Sequence, residues 1–258
     1  MKTVILAGGL GTRIQEESIK VPKPMIQIGN YPILWHIMKL YSHWGLNDFI
    51  VCLGYKSYVI KEYFAKFHSN HSDLRYDFAK NTVEIISTKM EPWRVTLVDT
   101  GEATMTGGRL KMIRDHLDGN AFCMTYGDGL TDLNIQQLIQ HHCYRKAVCT
   151  MTVVQKCERF GTVELQQGSD QIASFKEKPA NGDSWINGGF FVLEHECIEY
   201  VTDAMTVWES DPMNRLANDG KLSAFRHNGF WQCMDTMKEK SLLEQLWESG
   251  EAPWALWK

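Results

Sequence analysis

Gly8, Gly9 and Gly11 are followed by Arg13 and then by Lys23, which stands between Pro22 and Pro24. Glycines so spaced let backbone N–H groups turn toward one point and form an anion nest. Arg13 and Lys23 add the side-chain cations that a nest lacks, so the set is able to hold a polyphosphate and neutralise charge on a leaving group. Pro22 and Pro24 fix φ on both sides of Lys23, and Pro24 is expected to keep the lysine extended. A lone G-G-x-G would read as a glycine turn; the combination reads as a phosphate site. It is not a P-loop, since no Gly-Lys-Ser/Thr follows. A dinucleotide fingerprint is excluded too, because its third glycine would fall at Ile14 and no acidic ribose partner stands near Gly29 and Asn30.

Two aspartates offer the complementary charge. In AFCMTYGDGLTDLN an apolar run ends in Gly127, Asp128 and Gly129, which leaves a carboxylate free to approach a bound Mg2+ without a bulky neighbour. The alternative is a plain Asp-Gly turn. Asp132 reads as the N-cap of the following helix. In FWQCMDTMKEKSLLEQL the T-x-x-E of Thr236 and Glu239 forms a capping box by itself, which frees Asp235 for another role. Further on in SFKEKPANGDSWINGGFFVL, Glu177 is suited to accept from hydroxyls and Lys178, before a proline, to reach a phosphate, although taken singly these would be surface loop and strand. Asn187 supplies donor and acceptor together, and Gly188 and Gly189 allow close approach to the backbone.

These groups must be brought together by the fold. Strand-like runs (TVILA, DFIVCLG, AFCMTYG, AVCTMTVV, GGFFVL) alternate with helical periodicity in ILWHIMKLYSHWG, YVIKEYFAKF, IQQLIQHHCY and KEKSLLEQLW. FGTVELQQGSDQIASFKEKP reads as a hairpin turning at GSDQ. The pattern predicts the α/β class: a single Rossmann-like domain, residues 1–258, with a mostly parallel, helix-flanked central sheet and inserted antiparallel pieces. In it the glycines follow the first strand at its carboxyl end, where ligands of open α/β sheets bind.

With 258 residues and a net charge of −4, the chain has the size for one large core and no basic excess that would point to nucleic acid. No apolar run is long enough to span a membrane or to serve as a signal peptide, so a cytoplasmic protein is expected. Seven scattered cysteines without a C-x-x-C pair indicate neither a disulfide framework nor zinc, and the histidine pairs lack further ligands.

LAGGLGTR with PKPM at this spacing resembles the signature of the sugar-1-phosphate nucleotidylyltransferases, and YGDG, FKEKP, NGGFFV and FWQCMDT recur in that family's order along nearly the whole chain. The resemblance implies that Leu6, Ala7, Gly8, Gly9, Leu10, Gly11, Thr12, Arg13, Lys23 and Gly127 contact a nucleoside triphosphate. Arg13, Lys23, Asp128 and Asp235 would be the catalytic set, with Asp235 joining Asp128 as a ligand of Mg2+. Glu177, Lys178, Asn187 and Gly188 would hold the sugar phosphate, and Thr104, Thr106, Gly108 and Arg109 would line the base pocket. The nucleotide half is expected at 1–130, the sugar half at 131–235, and a C-terminal helix and tail at 236–258.

WHIMKLYS, GYKSYVIKEYF, EPWRVTLVDTG and TGGR are similar to the members that use CTP and α-D-glucose 1-phosphate, whose CDP-glucose feeds dideoxyhexoses of bacterial surface polysaccharides. Arg109 fits that choice: arginine has only donors, which match N3 and O2 of cytosine and clash with N3–H of uracil or thymine. A surface arginine beginning a helix is its alternative. VPKP stands where KPKP is common, and Thr125 and Cys233 are local variants. The competing readings are a uridylyl- or thymidylyltransferase, which would share all but the Arg109 argument, and a non-catalytic sensor, which would be expected to lack Asp128 or Asp235. A homo-oligomer is expected, of a subunit number that the sequence does not fix.

Overall fold

The structure is a computed structural model that describes residues 1–88, 90–155, 162–165, 170–176 and 185–258. The first half of the chain contains β1 (Thr3–Leu6), α1 (Gln15–Ser18), β2 (Gln27–Ile28), β3 (Tyr31–Pro32), α2 (Ile33–His43), β4 (Asp48–Leu53), α3 (Ser57–Asn70), β5 (Ser72–Asp77), β6 (Thr82–Thr88), β7 (Arg94–Asp99), α4 (Thr106–Met112) and β8 (Phe122–Tyr126). The second contains β9 (Gly129–Thr131), α5 (Ile135–Arg145), β10 (Cys149–Gln155), β11 (Thr162–Leu165), β12 (Ile172–Lys176), β13 (Trp185–Leu193), α6 (Asp211–Asn218), β14 (Leu222–His227), β15 (Trp231–Cys233) and α7 (Met237–Glu248).

The apolar run Thr3–Leu6 is buried on both faces, as a central strand requires. It pairs in parallel with β4 (Thr3 opposite Phe49) and with β8 (Thr3 opposite Cys123), and β4 continues in parallel to β7. The order β7-β4-β1-β8 means that the chain builds outward from β1 to β7, then returns to the other side of β1. That reversal opens a crevice at the carboxyl ends of β1 and β8. Beyond β8 the sheet turns antiparallel through β13, which also receives β10 and β11, while β14 runs parallel to β10. Among the described residues the sheet has nine strands.

Two apolar clusters cover its faces. One joins α2, α5 and α7 through residues such as Ile37, Leu138 and Leu243, and the other joins α4 and α6 through Leu110, Met213 and Trp208. The expected hairpin is present as β11 pairing antiparallel with β12, although Gly168 and Ser169 of its turn lie outside the described residues. The capping box of Thr236 and Glu239 forms at the start of α7. Asp132 does not cap α5. Asn134 does, accepting from the amide of Gln137 at 2.9 Å, because residues 132 to 134 are spent crossing from β9 before the helix can begin. Asp132 lies 3.0 Å from Nε2 of His227 instead.

Candidate active site

A cavity of about 680 Å3 opens at the carboxyl ends of β1 and β8. The glycine loop forms one wall, with Leu6, Ala7, Gly8, Gly9, Gly11, Thr12 and Arg13 all lining it. The loop is tied at its base, since Ala7 N donates to Cys52 O at 2.9 Å and Gly127 N to Leu6 O at 3.1 Å. Gly8 has no room for a side chain: a Cβ there would stand 2.1 Å from Nη1 of Arg109. Gly11 has φ +65°, in the left-handed region. Leu10 is exposed and does not line the cavity.

Lys23 is not extended as expected. Pro22 takes that conformation, at φ −64° and ψ 148°, and Lys23–Met25 forms one 3-10 turn closed by Ile26 N donating to Lys23 O at 3.1 Å. A proline is tolerated in a first turn, where its missing N–H would have no partner. The turn aims Lys23 inward. Its Nζ donates to Oδ2 of Asp128 at 2.5 Å and to Oδ1 of Asp235 at 2.6 Å, and Nη1 of Arg13 donates to Oδ2 of Asp235 at 2.5 Å. Burial disfavours the lysine's charge, but the two carboxylates outweigh it and hold Lys23 above the ordinary lysine range. Burial likewise acts against the charge of Asp235, yet Lys23 and Arg13 keep its carboxyl below its usual range.

The aspartates meet because β9 and β15 form a short antiparallel ladder of their own. Cys233 lies opposite Gly129, and Met234 N donates to Asp128 O at 2.9 Å. The residues beyond that ladder then point into the same crevice. Two hard carboxylates already converging on one cation fit Mg2+, which takes one or two protein carboxylates and fills the rest of its shell with phosphate oxygens and water. No cluster of three or more His, Cys, Asp or Glu suited to a metal occurs among the described residues.

Thr104, Thr106, Arg109 and Gly127 also line the cavity. Gly108 does not; it packs on the 204–206 segment, where a Cβ would come within 2.2 Å of Ala204 O. Arg109 is buried rather than a surface residue. Its Nη1 donates to Leu53 O (2.9 Å), Thr100 Oγ1 (2.6 Å) and Gly101 O (2.9 Å), and its Nη2 to Gly8 O (3.0 Å) and Glu102 O (3.4 Å). The guanidinium therefore knits the glycine loop to the ends of β4 and β7, and a two-bond donation from both terminal nitrogens to a base would dismantle that knot. Burial pushes its pKa down.

Of the residues expected to hold the sugar phosphate, Asn187 and Gly188 line the cavity, while Glu177 and Lys178 lie outside the described residues. A bulge in the β10–β13 ladder, between Met151 and Val153, turns Asn187 to Gly189 toward the crevice, and Gly189 adopts φ +79°. Sequence reasoning missed Tyr126, Glu209 and Trp231 as site residues. The Tyr126 hydroxyl and that of Thr106 (2.6 Å) both donate to the Glu209 carboxylate, Asn187 Nδ2 donates to Tyr126 Oη at 3.3 Å, and Trp231 Nε1 donates to Gly188 O at 2.6 Å. Burial, with the Glu209 carboxylate beside it, pushes the Tyr126 phenol above its usual range. YGDG did carry Tyr126 next to the proposed aspartate; nothing local marks Glu209.

Comparison with known proteins places this geometry. The family model for nucleotidyl transferases matches residues 2–245. A glucose-1-phosphate cytidylyltransferase of Salmonella typhi is 51% identical over 259 residues, covering 100% of both chains. A probable glucose-1-phosphate cytidylyltransferase of Bacillus subtilis is 41% identical, again over 100% of both. Among solved structures, HddC from Yersinia pseudotuberculosis superposes with a TM-score of 0.77 at 22% identity, over 95% of this chain and 99% of that one, a likeness of fold. A match that begins before the glycine loop and ends beyond the second aspartate takes in the whole crevice, and the chain belongs to the nucleotidyl transferase family.

Proposed function

We propose that the chain transfers the cytidylyl group of CTP to α-D-glucose 1-phosphate, giving CDP-glucose and pyrophosphate. The observation that carries this reading is the full-length, 51% identity to a glucose-1-phosphate cytidylyltransferase. In the reaction a phosphate oxygen of the sugar phosphate attacks the α-phosphorus of CTP, an O–P bond forms, and the bond to the β-phosphate breaks with its electron pair leaving on pyrophosphate. The attacker is already an anion, so no protein nucleophile is needed; the work is to overcome repulsion and hold the partners in line.

Arg13, Lys23 and the backbone of Gly8 to Gly11 would carry the triphosphate, a role supported by their place on one wall of the cavity. Mg2+ held by Asp128 and Asp235 would supply further charge neutralisation at the phosphates. Asn187, Gly188 and Trp231 form the opposite wall, which suits the sugar, with Glu177 and Lys178 assigned there by the family pattern. Arg109 would anchor the base loop and spare for cytosine only the N–H now spent on Glu102 O, its longest contact at 3.4 Å.

CDP-glucose made in this way would feed dideoxyhexose synthesis for lipopolysaccharide. Cytoplasmic residence is supported by free cysteines and by the finding that no helix among the described residues is long and apolar enough to cross a membrane. The deciding experiment incubates the enzyme and Mg2+ with glucose 1-phosphate and each of CTP, UTP, dTTP and GTP, and identifies nucleotide sugars by mass. CDP-glucose is the expected main product; UDP- or dTDP-glucose as the main product would overturn the assignment.

A further inference from the structure

Between the glycine loop and Lys23 the chain makes a 3-10 turn, Thr12–Ile14, and then the four residues of α1. Ile14 is fully buried in the core, but the side chain of Arg13 beside it is 70% exposed and bonds to Asp235. One turn of helix does not hold its own shape, because ordering the first turn costs more than its hydrogen bonds return. α1 is held from outside instead. Nζ of Lys240, on α7, donates to Oε1 of Glu17 at 3.0 Å, and these side chains are only 15% and 26% exposed. The end of the turn is tied separately, by Lys56 Nζ donating to Ser18 O at 3.4 Å and by the Ser18 hydroxyl donating to Gly11 O at 2.9 Å.

Lys240 and Asp235 belong to one rigid piece. The Glu239 carboxylate accepts from Asp235 N at 2.8 Å and from Thr236 N at 2.9 Å, and Lys240 N donates to Thr236 O at 3.0 Å, so the chain is locked from Asp235 onward. Two ion pairs of opposite polarity therefore join the same two segments: Arg13 donates to Asp235, and Lys240 donates to Glu17. Arg13 and Asp235 line the cavity, whereas Glu17 and Lys240 do not. In the reaction proposed above, the triphosphate competes with Asp235 for Arg13, so the inner pair opens when the nucleotide binds while the outer pair stays closed. We propose that Glu17 and Lys240 are a positioning pair, which keeps Arg13 aimed at the triphosphate once the nucleotide has drawn that arginine from Asp235. The proposal rests on the reading of Arg13 as a triphosphate ligand.

The sign of the charge on Glu17 separates this role from a general electrostatic one. Glu17 is an anion four residues from a cation that is to hold a polyphosphate, so by Coulomb's law alone its removal would tighten the binding of a triphosphate. A positioning role demands the reverse, because α1 then loses its tie to α7 and Arg13 its aim. Glu17→Gln strands no charge in doing so: Oε1 of Glu244, on α7 itself, lies 3.6 Å from Lys240 and keeps the ammonium paired.

Calorimetric titration of the full chain with CTP, in Mg2+ buffer without sugar phosphate, reads binding apart from turnover. Glu17→Gln and Lys240→Met are each expected to weaken CTP binding about fivefold, and Lys240→Arg, which keeps the cation, to bind within about twofold of the wild type. Glu16→Gln removes the same charge from the exposed neighbour and should not weaken binding. In an Arg13→Ala background Glu17→Gln should add nothing, because the pair acts through Arg13. Glu17→Gln that binds CTP as tightly as the wild type, or more tightly, overturns the proposal. So does a loss that persists undiminished in the Arg13→Ala background, which would make the pair a plain structural tie. Arg13→Ala that by itself binds CTP like the wild type overturns instead the reading of Arg13 on which the proposal stands. UTP is titrated in parallel, since the pair is blind to the base: a wild type that prefers UTP corrects the nucleotide, and the same comparison then decides the pair on UTP.

Discussion

Lys23 donates to Asp128 at 2.5 Å across a sequence separation of 105 residues, and the same ammonium reaches Asp235 at 2.6 Å. One cation thus already sits where two carboxylates converge, with the side chains of Lys23 and Asp235 only 12% and 13% exposed. Asp128→Asn and Asp235→Asn should each lower turnover at least about a hundredfold, the loss of a few kcal/mol of charge stabilisation in the transition state. EDTA should abolish turnover and Mg2+ restore it in the wild type. Pyrophosphate release at limiting Mg2+, with circular dichroism as the control for folding, checks both; near-normal turnover in either variant would remove that residue from the metal site.

Arg109 is predicted to serve two ends unequally. Arg109→Ala removes contacts to Leu53, Thr100, Gly101 and Gly8, so catalytic efficiency should fall with CTP and UTP alike and the melting temperature should drop. With one N–H left for the base, the ratio between CTP and UTP should narrow by no more than about tenfold, the range of a single hydrogen bond. An unchanged ratio would assign cytosine selection to backbone groups of Thr104 to Thr106, which line the cavity. A much larger change would restore the two-bond contact to the base edge.

Glu209 joins Thr106, on the proposed base side of the cavity, to Tyr126, on its proposed sugar side. Glu209→Gln leaves one acceptor for two hydroxyls and should raise KM for both substrates several-fold, an effect of about 1 kcal/mol. Tyr126→Phe breaks only the sugar branch. Steady-state kinetics should then show KM for glucose 1-phosphate rising while that for CTP stays put; equal rises in both would mean the two branches are not separable.

Acid stability is predicted to depend on His36. Its Nε2 lies 3.0 Å from Ile28 O and its Nδ1 accepts from Trp254 Nε1 at 3.3 Å, which describes a neutral ring. Burial lowers its pKa from 6.5 to about 4. The unfolded chain binds that proton first, so the contribution is complete above about pH 6.5 and is lost as the pH falls toward 4, by about 3 kcal/mol in all. Urea unfolding across this window should show a shallower pH dependence in His36→Gln, which keeps a donor and an acceptor without a titrating ring. Equal slopes would clear His36.

What the sequence disclosed follows from how local each signal is. The glycine loop was legible because glycine and proline restrict the backbone wherever they occur, and β1, β4, β8 and α2 were legible because buried elements write their period into the chain. Thr236 and Glu239 announced their cap for the same reason. Glu209 gave no signal, since its role exists only once α4 packs on the segment after Tyr200 and brings Thr106 within reach. The extended Lys23 was misread because a proline's rule for its neighbour yields when the next residues close a single 3-10 turn. The β5–β6 hairpin was passed over: its alternation is plain, but alternation says which face is apolar and not what lies against it.

The ladder of β9 with β15 has a consequence for how such enzymes diversify. It fastens together the two ends of the stretch from α5 to β14, so that stretch leaves Asp128 and returns to Asp235, like a purse drawn shut at its mouth. Insertions or exchanges inside it would reshape the pouch without disturbing the clasp, provided β13 still seats against β8. The convergence of Asp128 and Asp235 on Lys23 would be inherited intact whatever the pouch came to hold. A one-residue slip in the three-residue clasp would turn its side chains to the opposite face and disconnect Asp235 from Asp128 at a stroke.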